Sequence, residues 1–133
     1  MIHCKIVTPS GLYKEFDTSI LNIVNSDGQR GILSNHMPLV TTLVISKMST
    51  VESNGRQEYA IGGGLLHFEN NLATILVDSI EHSSEIDVER AKAAKKRAQG
   101  FLDSADPNVD VKRAEVALKR ALNRIKVKGE WIS

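Results

Sequence analysis

The hydrophobic period of this chain changes near residue 86, and that change limits its fold more than any other feature. Before it, apolar residues alternate in short runs separated by turn signals. After it, they recur at spacings of three and four. A period of two suits a strand and a period near 3.6 suits a helix, so the chain reads as two regions of different class. The expectation is an α+β chain: an N-terminal antiparallel β-sandwich over residues 1–84, then a C-terminal antiparallel two-helix hairpin over 85–133.

In the first region Ile2, Cys4 and Ile6 alternate with His3, Lys5 and Val7, and Thr8-Pro9-Ser10-Gly11 reads as a turn. A second strand region spans about 13–25, with Ser26-Asp27-Gly28-Gln29 as the next turn. Residues 31–40 read as a short apolar strand and a loop, returning to a strand that runs to Ile45. Ser53-Asn54-Gly55-Arg56 reads as a hairpin tip between Met48–Glu52 and Gln57–Ile61, because Asn-Gly favours the positive φ of tight turns. Leu65–Phe68, a turn at Asn70-Asn71 and the strand Leu72–Val77 follow. Many short strands with regular turns indicate a sandwich or barrel.

Asp87 stands where the first helix begins, and Ala91, Ala94, Ala98 and Phe101 or Leu102 form its apolar stripe. Asp103-Ser104-Ala105-Asp106-Pro107 ends it, since proline cannot continue a helix and pushes Asp106 towards extended angles. A second helix runs from Asp110 to about Lys126, with Val111, Ala114, Leu118, Ala121 or Leu122, and Ile125 inward. Alanine stripes bury little area, and at ~25 cal/mol per Å² such a pair is weakly held and able to open.

Charge divides at the same point. Residues 1–86 hold five Lys and Arg against nine Asp and Glu, a net of −4; residues 87–133 hold twelve against seven, a net of +5. A basic C-terminal region points to an acidic partner: nucleic acid, anionic lipid, a phosphate ligand or an acidic protein segment. No run approaches the ~18 apolar residues that a membrane span requires. MIHCKIVTPSG has neither the h-region of a signal peptide nor a transit-peptide pattern, so the chain is expected to stay where it is made. Cys4 is the only cysteine, which fits a reducing compartment, and its alternation with Ile6 predicts a buried thiol.

Few residues suggest catalysis. Gly62-Gly63-Gly64 lacks the Gly-Lys-Ser/Thr and the helix of a phosphate loop, and reads as a place where backbone bends or packs closely. His36 has no neighbour at metal-ligand spacing, and His3, His67 and His82 form no metal pattern. Asp87 alone reads as a helix N-cap. Arg90 and Arg97 share one face of the first helix, and Arg120 and Arg124 one face of the second. Two readings stand for these arginines: a solvated basic surface, or a phosphate-binding face suited to the planar guanidinium fork.

On these residues the chain resembles the epsilon subunit of bacterial F-type ATP synthase. GQRGILSNHMPLV (28–40) is similar to the family's G-x-x-GIL-x-x-H-x-PLV loop, GGGLLHFENNLATILVDSIE (62–81) to its last sandwich strands, and VKRAEVALKRALNRIKV (111–127) to its second helix. Ser34-Asn35 stands where Pro-Gly often occurs in the family, and Gly100 interrupts the first helix. The resemblance implies a ten-stranded sandwich followed by a helical hairpin. It implies a non-catalytic central-stalk subunit coupling proton transport to ATP synthesis and regulating ATP hydrolysis. The sandwich would bind the gamma subunit and the c-ring, with Gly31, Ile32, Leu33, His36, Pro38 and Leu39 as the loop facing them. The open hairpin would present its basic strip to an acidic segment of the beta subunits. The implied location is a peripheral membrane complex on the cytoplasmic face of the bacterial cell membrane, with no direct membrane insertion.

Some family members bind ATP through an I/L-D-x-x-R-A motif, which stands here as Ile86-Asp87-Val88-Glu89-Arg90-Ala91. By position the resemblance adds Glu81, Arg97, Arg120 and Arg124. Carboxylates repel phosphates, so Glu81 and Asp87 would meet adenine or ribose donors and the arginines the phosphates. ATP would be a regulatory ligand that favours closure of the hairpin, with no cofactor required. Two rivals belong to other classes. A basic nucleic-acid-binding module is favoured by the hairpin, but opposed by scarce aromatics and an acidic sandwich, leaving nucleic acid outside the expected partners. A small enzyme would have to use His36. An organellar homologue is a variant of the favoured reading.

Overall fold

The computed structural model describes residues 1–104 and 106–129; Ala105 of the expected turn and 130–133 of the expected helical region lie outside the described residues. The chain divides between His82 and Ser83 into two compact units. The first contains β1 (Ile2–Thr8), β2 (Gly11–Thr18), β3 (Ile20–Asn25), β4 (Gly28–Leu33), β5 (Leu39–Glu52), β6 (Gly55–Glu69), β7 (Leu72–Val77) and β8 (Ile80–His82). The second contains a 3-10 turn (Ser83–Glu85), α1 (Val88–Asp103) and α2 (Val111–Lys128).

Two long strands make the sandwich. The sequence suggested separate strands on either side of residues 46–47 and of Gly62-Gly63-Gly64, but β5 and β6 run through continuously. Their outer halves pair with each other, and β6 there pairs with β7, which pairs with β1 and then β2. Their inner halves pair across the hairpin, with β8 beside β6 and β3 then β4 beside β5. Eight strands therefore supply ten strand segments in two layers, because β5 and β6 each contribute to both.

The glycines lie at this crossing. A Cβ at Gly64 would collide with the Leu76 carbonyl oxygen, and one at Gly62 with the Ser79 hydroxyl; Gly63 has φ +97°. They permit close approach of backbones rather than phosphate binding.

One pairing departs from the expected antiparallel pattern: β1 lies parallel to β7. Parallel neighbours need a long connection, and β2 to β6 provide it. The expected strand over 13–25 is two strands broken at Ser19, and the short strand expected from Gly31 begins earlier, at Gly28 within the expected turn, and pairs with β3. Asn70 and Asn71 have φ of 51° and 60°, as the two-residue turn between Glu69 and Leu72 requires. At the other tip the positive φ belongs to Gly55, not Asn54.

The alternation of β1 is that of its sequence: Ile2, Cys4 and Ile6 are buried, His3 and Lys5 exposed. With them the core collects Leu21, Ile23, Ile32, Met48, Tyr59, Ile61, Leu66, Phe68 and Ile75.

Candidate functional site

Both helices begin on aspartate. Asp87, in extended conformation (φ −88°, ψ 103°), accepts the backbone N–H of Arg90 through Oδ1 at 3.1 Å. Asp110 accepts the N–H of Arg113 at 3.0 Å in the same way. The cap uses one of the two oxygens of Asp87, so capping and ligand contact do not exclude each other. At the far end of α2, Gly129 adopts φ +86° and its N–H reaches the carbonyls of Ile125 and Lys126, a left-handed helix stop.

The helices pack in antiparallel fashion. Lys128 at the end of α2 donates through Nζ to the Ser83 carbonyl, which precedes α1, at 3.1 Å. Buried positions are Ala91 and Ala98 on α1 and Ala114, Ala121, Ile125 and Val127 on α2. Arg90 and Arg97 each immediately precede a buried alanine, and Arg113, Arg120 and Arg124 precede Ala114, Ala121 and Ile125. One residue is a rotation of about 100° around a helix, always in the same sense. Antiparallel helices packed face to face are related by a two-fold axis, which sends the preceding residues of both to the same flank of the seam. All five arginines therefore belong to one flank.

Two clefts agree with this division. Arg97 and Arg113 line a cleft of about 590 Å³ with Ala94, Phe101 and Val109. Lys92, Lys95, Lys96 and Gln99 line another of about 550 Å³. Arg90, Arg97, Arg113 and Arg120 are exposed and Arg124 is half-buried. Arg113 was absent from the expected set, although its place one residue before a stripe alanine was the signal that would have found it. Ile86 is buried, and Ala91 serves the seam. Glu81 belongs to the first unit, half-buried on β8 opposite Ala60.

The expected partner-facing loop is less uniform. Ile32 is wholly buried in the sandwich core and cannot face a partner; alternation on β4 turns it inward. Leu33 is exposed, Leu39 packs against the core, and Gly31 and Pro38 are exposed. His36 is half-buried, its Nδ1 2.7 Å from the Met37 carbonyl and its ring edge-to-face with Phe68 at 5.9 Å. Met37, missed in the sequence, is 73% exposed. Asn35 adopts φ 66°, which asparagine tolerates, and its N–H donates to Asn71 Oδ1 at 2.6 Å while Asn71 Nδ2 donates to Asn35 Oδ1 at 3.0 Å. That clasp holds Asn35 in its left-handed conformation.

The first unit also encloses an ionic group with no sequence signature. Lys14 Nζ lies 2.7 Å from Glu52 Oε1 and 2.9 Å from the Tyr59 hydroxyl, which donates to Glu52 Oε2 at 2.8 Å. Burial alone would raise the Glu52 pKa, but hydrogen bonds from Lys14, Thr50 and Tyr59 hold it below the usual value. Burial pushes Tyr59 up to about 12, and the Cys4 thiol likewise to about 12. Such a thiol is unreactive, and a wholly buried Tyr59 offers no access to substrate. Among the described residues no group of His, Cys, Asp and Glu is placed to hold a metal ion.

Known proteins with the same arrangement are recognisable. The family profile described as "ATP synthase, Delta/Epsilon chain, beta-sandwich domain" matches residues 1–83, and "ATP synthase, Delta/Epsilon chain, long alpha-helix domain" matches 84–129. A protein named ATP synthase epsilon chain from Lactobacillus helveticus is 45% identical over 129 residues, covering 92% of this chain and 88% of that one. Another of that name from Halalkalibacterium halodurans is 38% identical over 129 residues, covering 96% and 97%. In fold the chain is similar to a chain of the Euglena gracilis mitochondrial ATP synthase, solved with OSCP, F1 and c-ring in rotational state 1. That match has a TM-score of 0.77 at 23% identity and covers 89% of this chain and 75% of the other.

Proposed function

This chain belongs to the ATP synthase delta/epsilon family as an epsilon chain, and from that premise we propose that it is a non-catalytic subunit of the rotor's central stalk whose helical hairpin responds to ATP. In this reading the sandwich holds the gamma subunit and meets the c-ring through the exposed parts of the loop, Leu33, Met37 and Pro38. The complex sits peripherally on the cytoplasmic face of a bacterial membrane; none of the described helices is long and apolar enough to cross one. With the hairpin open, the basic strip of α2 engages an acidic segment of the beta subunits and restrains ATP hydrolysis.

The observation that carries the ATP reading is the arginine flank. Five guanidinium groups on one side of a seam made largely of alanine repel one another, and the seam has little apolar area to oppose them. A triphosphate bridging Arg90 and Arg97 to Arg120 and Arg124 relieves that repulsion, with Arg113 at the Arg97 end of the same flank. Ile86, Asp87 and Ala91 complete the set expected on the hairpin, with the Asp87 carboxylate selecting the nucleoside. A ligand that binds only the closed hairpin shifts its equilibrium by about 2.7 kcal/mol at a hundredfold excess over its dissociation constant. No other cofactor is required.

Calorimetry of the purified chain against ATP tests this. Arg90→Ala should weaken binding about tenfold or more, the loss of a charge-assisted contact, while Lys92→Ala on the other flank should leave it nearly unchanged. Equal effects of the two substitutions would reduce the arginine flank to a general basic surface. In the reconstituted complex, deleting residues 87–133 should raise ATP hydrolysis.

A further inference from the structure

On the first unit, His3 of β1 stands between two carboxylates of β2. Its Nε2 is 2.7 Å from Glu15 Oε1 and its Nδ1 is 2.9 Å from Asp17 Oδ1. β2 ends the order of paired strands, and among the described residues its backbone ladder is with β1; Lys14 and Thr18 add side-chain hydrogen bonds to β5 and β6. We propose that His3 is a proton-operated latch that fastens the edge strand β2 to β1 when its imidazole is charged and loosens it when the proton leaves.

The argument rests on donor counting. Ionised carboxylates only accept hydrogen bonds, and neutral imidazole has a single N–H. Both contacts are satisfied together only by the imidazolium, which has two. Deprotonation therefore removes one donor and turns one contact from attraction into an encounter of two acceptors. The cross-strand register sets this up: His3 pairs with Asp17 and Lys5 with Glu15, so the histidine reaches its direct partner and one diagonal neighbour on the same face.

The surrounding charges favour the protonated form. From β2 the facing groups are Glu15 and Asp17, and along β1 Lys5 shares the face. From β7, Leu72 lies opposite His3 and Thr74 opposite Lys5, neither charged; beyond them Glu69 and His67 of β6 form their own pair at 3.9 Å. Hydrogen bonds donated to Glu15 and then to Asp17 raise His3 above its ordinary 6.5, and the bond to Glu15 lowers that carboxyl in turn. For a raised histidine the contribution is complete below the unfolded value of 6.5 and is lost as pH rises through the folded one. The latch therefore releases on the alkaline side of 6.5, in a range where few other side chains titrate.

The test is nitrogen-15 NMR of the His3 ring together with amide exchange of β2 in the full chain, across the neutral range. At pH 6 both ring nitrogens should carry protons, and their common midpoint should lie above 6.5. Above that midpoint β2 amides, corrected for intrinsic exchange, should exchange a few-fold faster, with β7 unchanged. Glu15→Gln and Asp17→Asn should each lower the His3 midpoint, and His3→Gln should abolish the pH dependence of β2. A midpoint at or below 6.5, or a β2 response that survives His3→Gln, overturns the latch.

Discussion

The sandwich and the hairpin are built from opposite kinds of interior. In the sandwich many of the fully buried side chains are large: Tyr59, Phe68, Met48, and leucines and isoleucines from both layers. Along the hairpin seam four of the six buried helix residues are alanines, with Ile125 and Val127 towards one end of α2. Stabilisation by burial follows apolar area, so position for position burial holds the hairpin less firmly. The difference teaches that apolar burial fixes one unit more firmly than the other, which leaves the hairpin the more open to the ligand control proposed for it.

Substitutions can sharpen or break that contrast. The largest effect is expected in the sandwich, where Phe68→Ala should cost about 3–5 kcal/mol in urea unfolding of that unit, through lost burial and a cavity. In the hairpin the corresponding experiment is to add bulk. Ala121→Leu should force α1 and α2 apart at about 1–3 kcal/mol, reducing helical circular dichroism and leaving the sandwich transition unmoved. Removing the cap of α2 with Asp110→Ala should cost about 1 kcal/mol. Gly100→Ala should do the reverse: a Cβ there has nothing within 4 Å, and the helix should gain about 0.5–1 kcal/mol. If both units responded equally to small changes, the contrast between scaffold and switch would fail.

Acid offers a further distinction. The Glu52 carboxyl is held below its ordinary 4.5, so its contribution is present above 4.5 and is lost as pH falls through the lower folded value. The sandwich should therefore weaken below about pH 4.5, and Glu52→Gln should flatten that part of its stability profile while destabilising it at neutral pH.

What the sequence revealed follows from which forces are local. Alternation at Ile2, Cys4 and Ile6, the paired asparagines at 70–71 and the Asp87 cap are written within a few residues, and the structure has them as expected. Pairing is not local. The continuity of β5 and β6 through both layers and the parallel β1–β7 contact depend on partners dozens of residues away. Ile32 shows the same limit at the candidate site: a motif places it in a partner-facing loop, while strand alternation turns it into the core. The Lys14–Glu52–Tyr59 group joins β2, β5 and β6, and nothing in their spacing announces it. Arg113, by contrast, was legible from its position beside a buried alanine.

Hydrogen exchange resolved along the chain, with and without millimolar ATP, tests the central claim most directly. The account predicts that amides of α1 and α2 exchange well before those of β1, β6 and β7 in the free chain, and that ATP slows the helices while leaving the strands unchanged. Helices already as protected as the sandwich core without nucleotide, and unaffected by it, would contradict both the weak seam and the ligand proposed to close it.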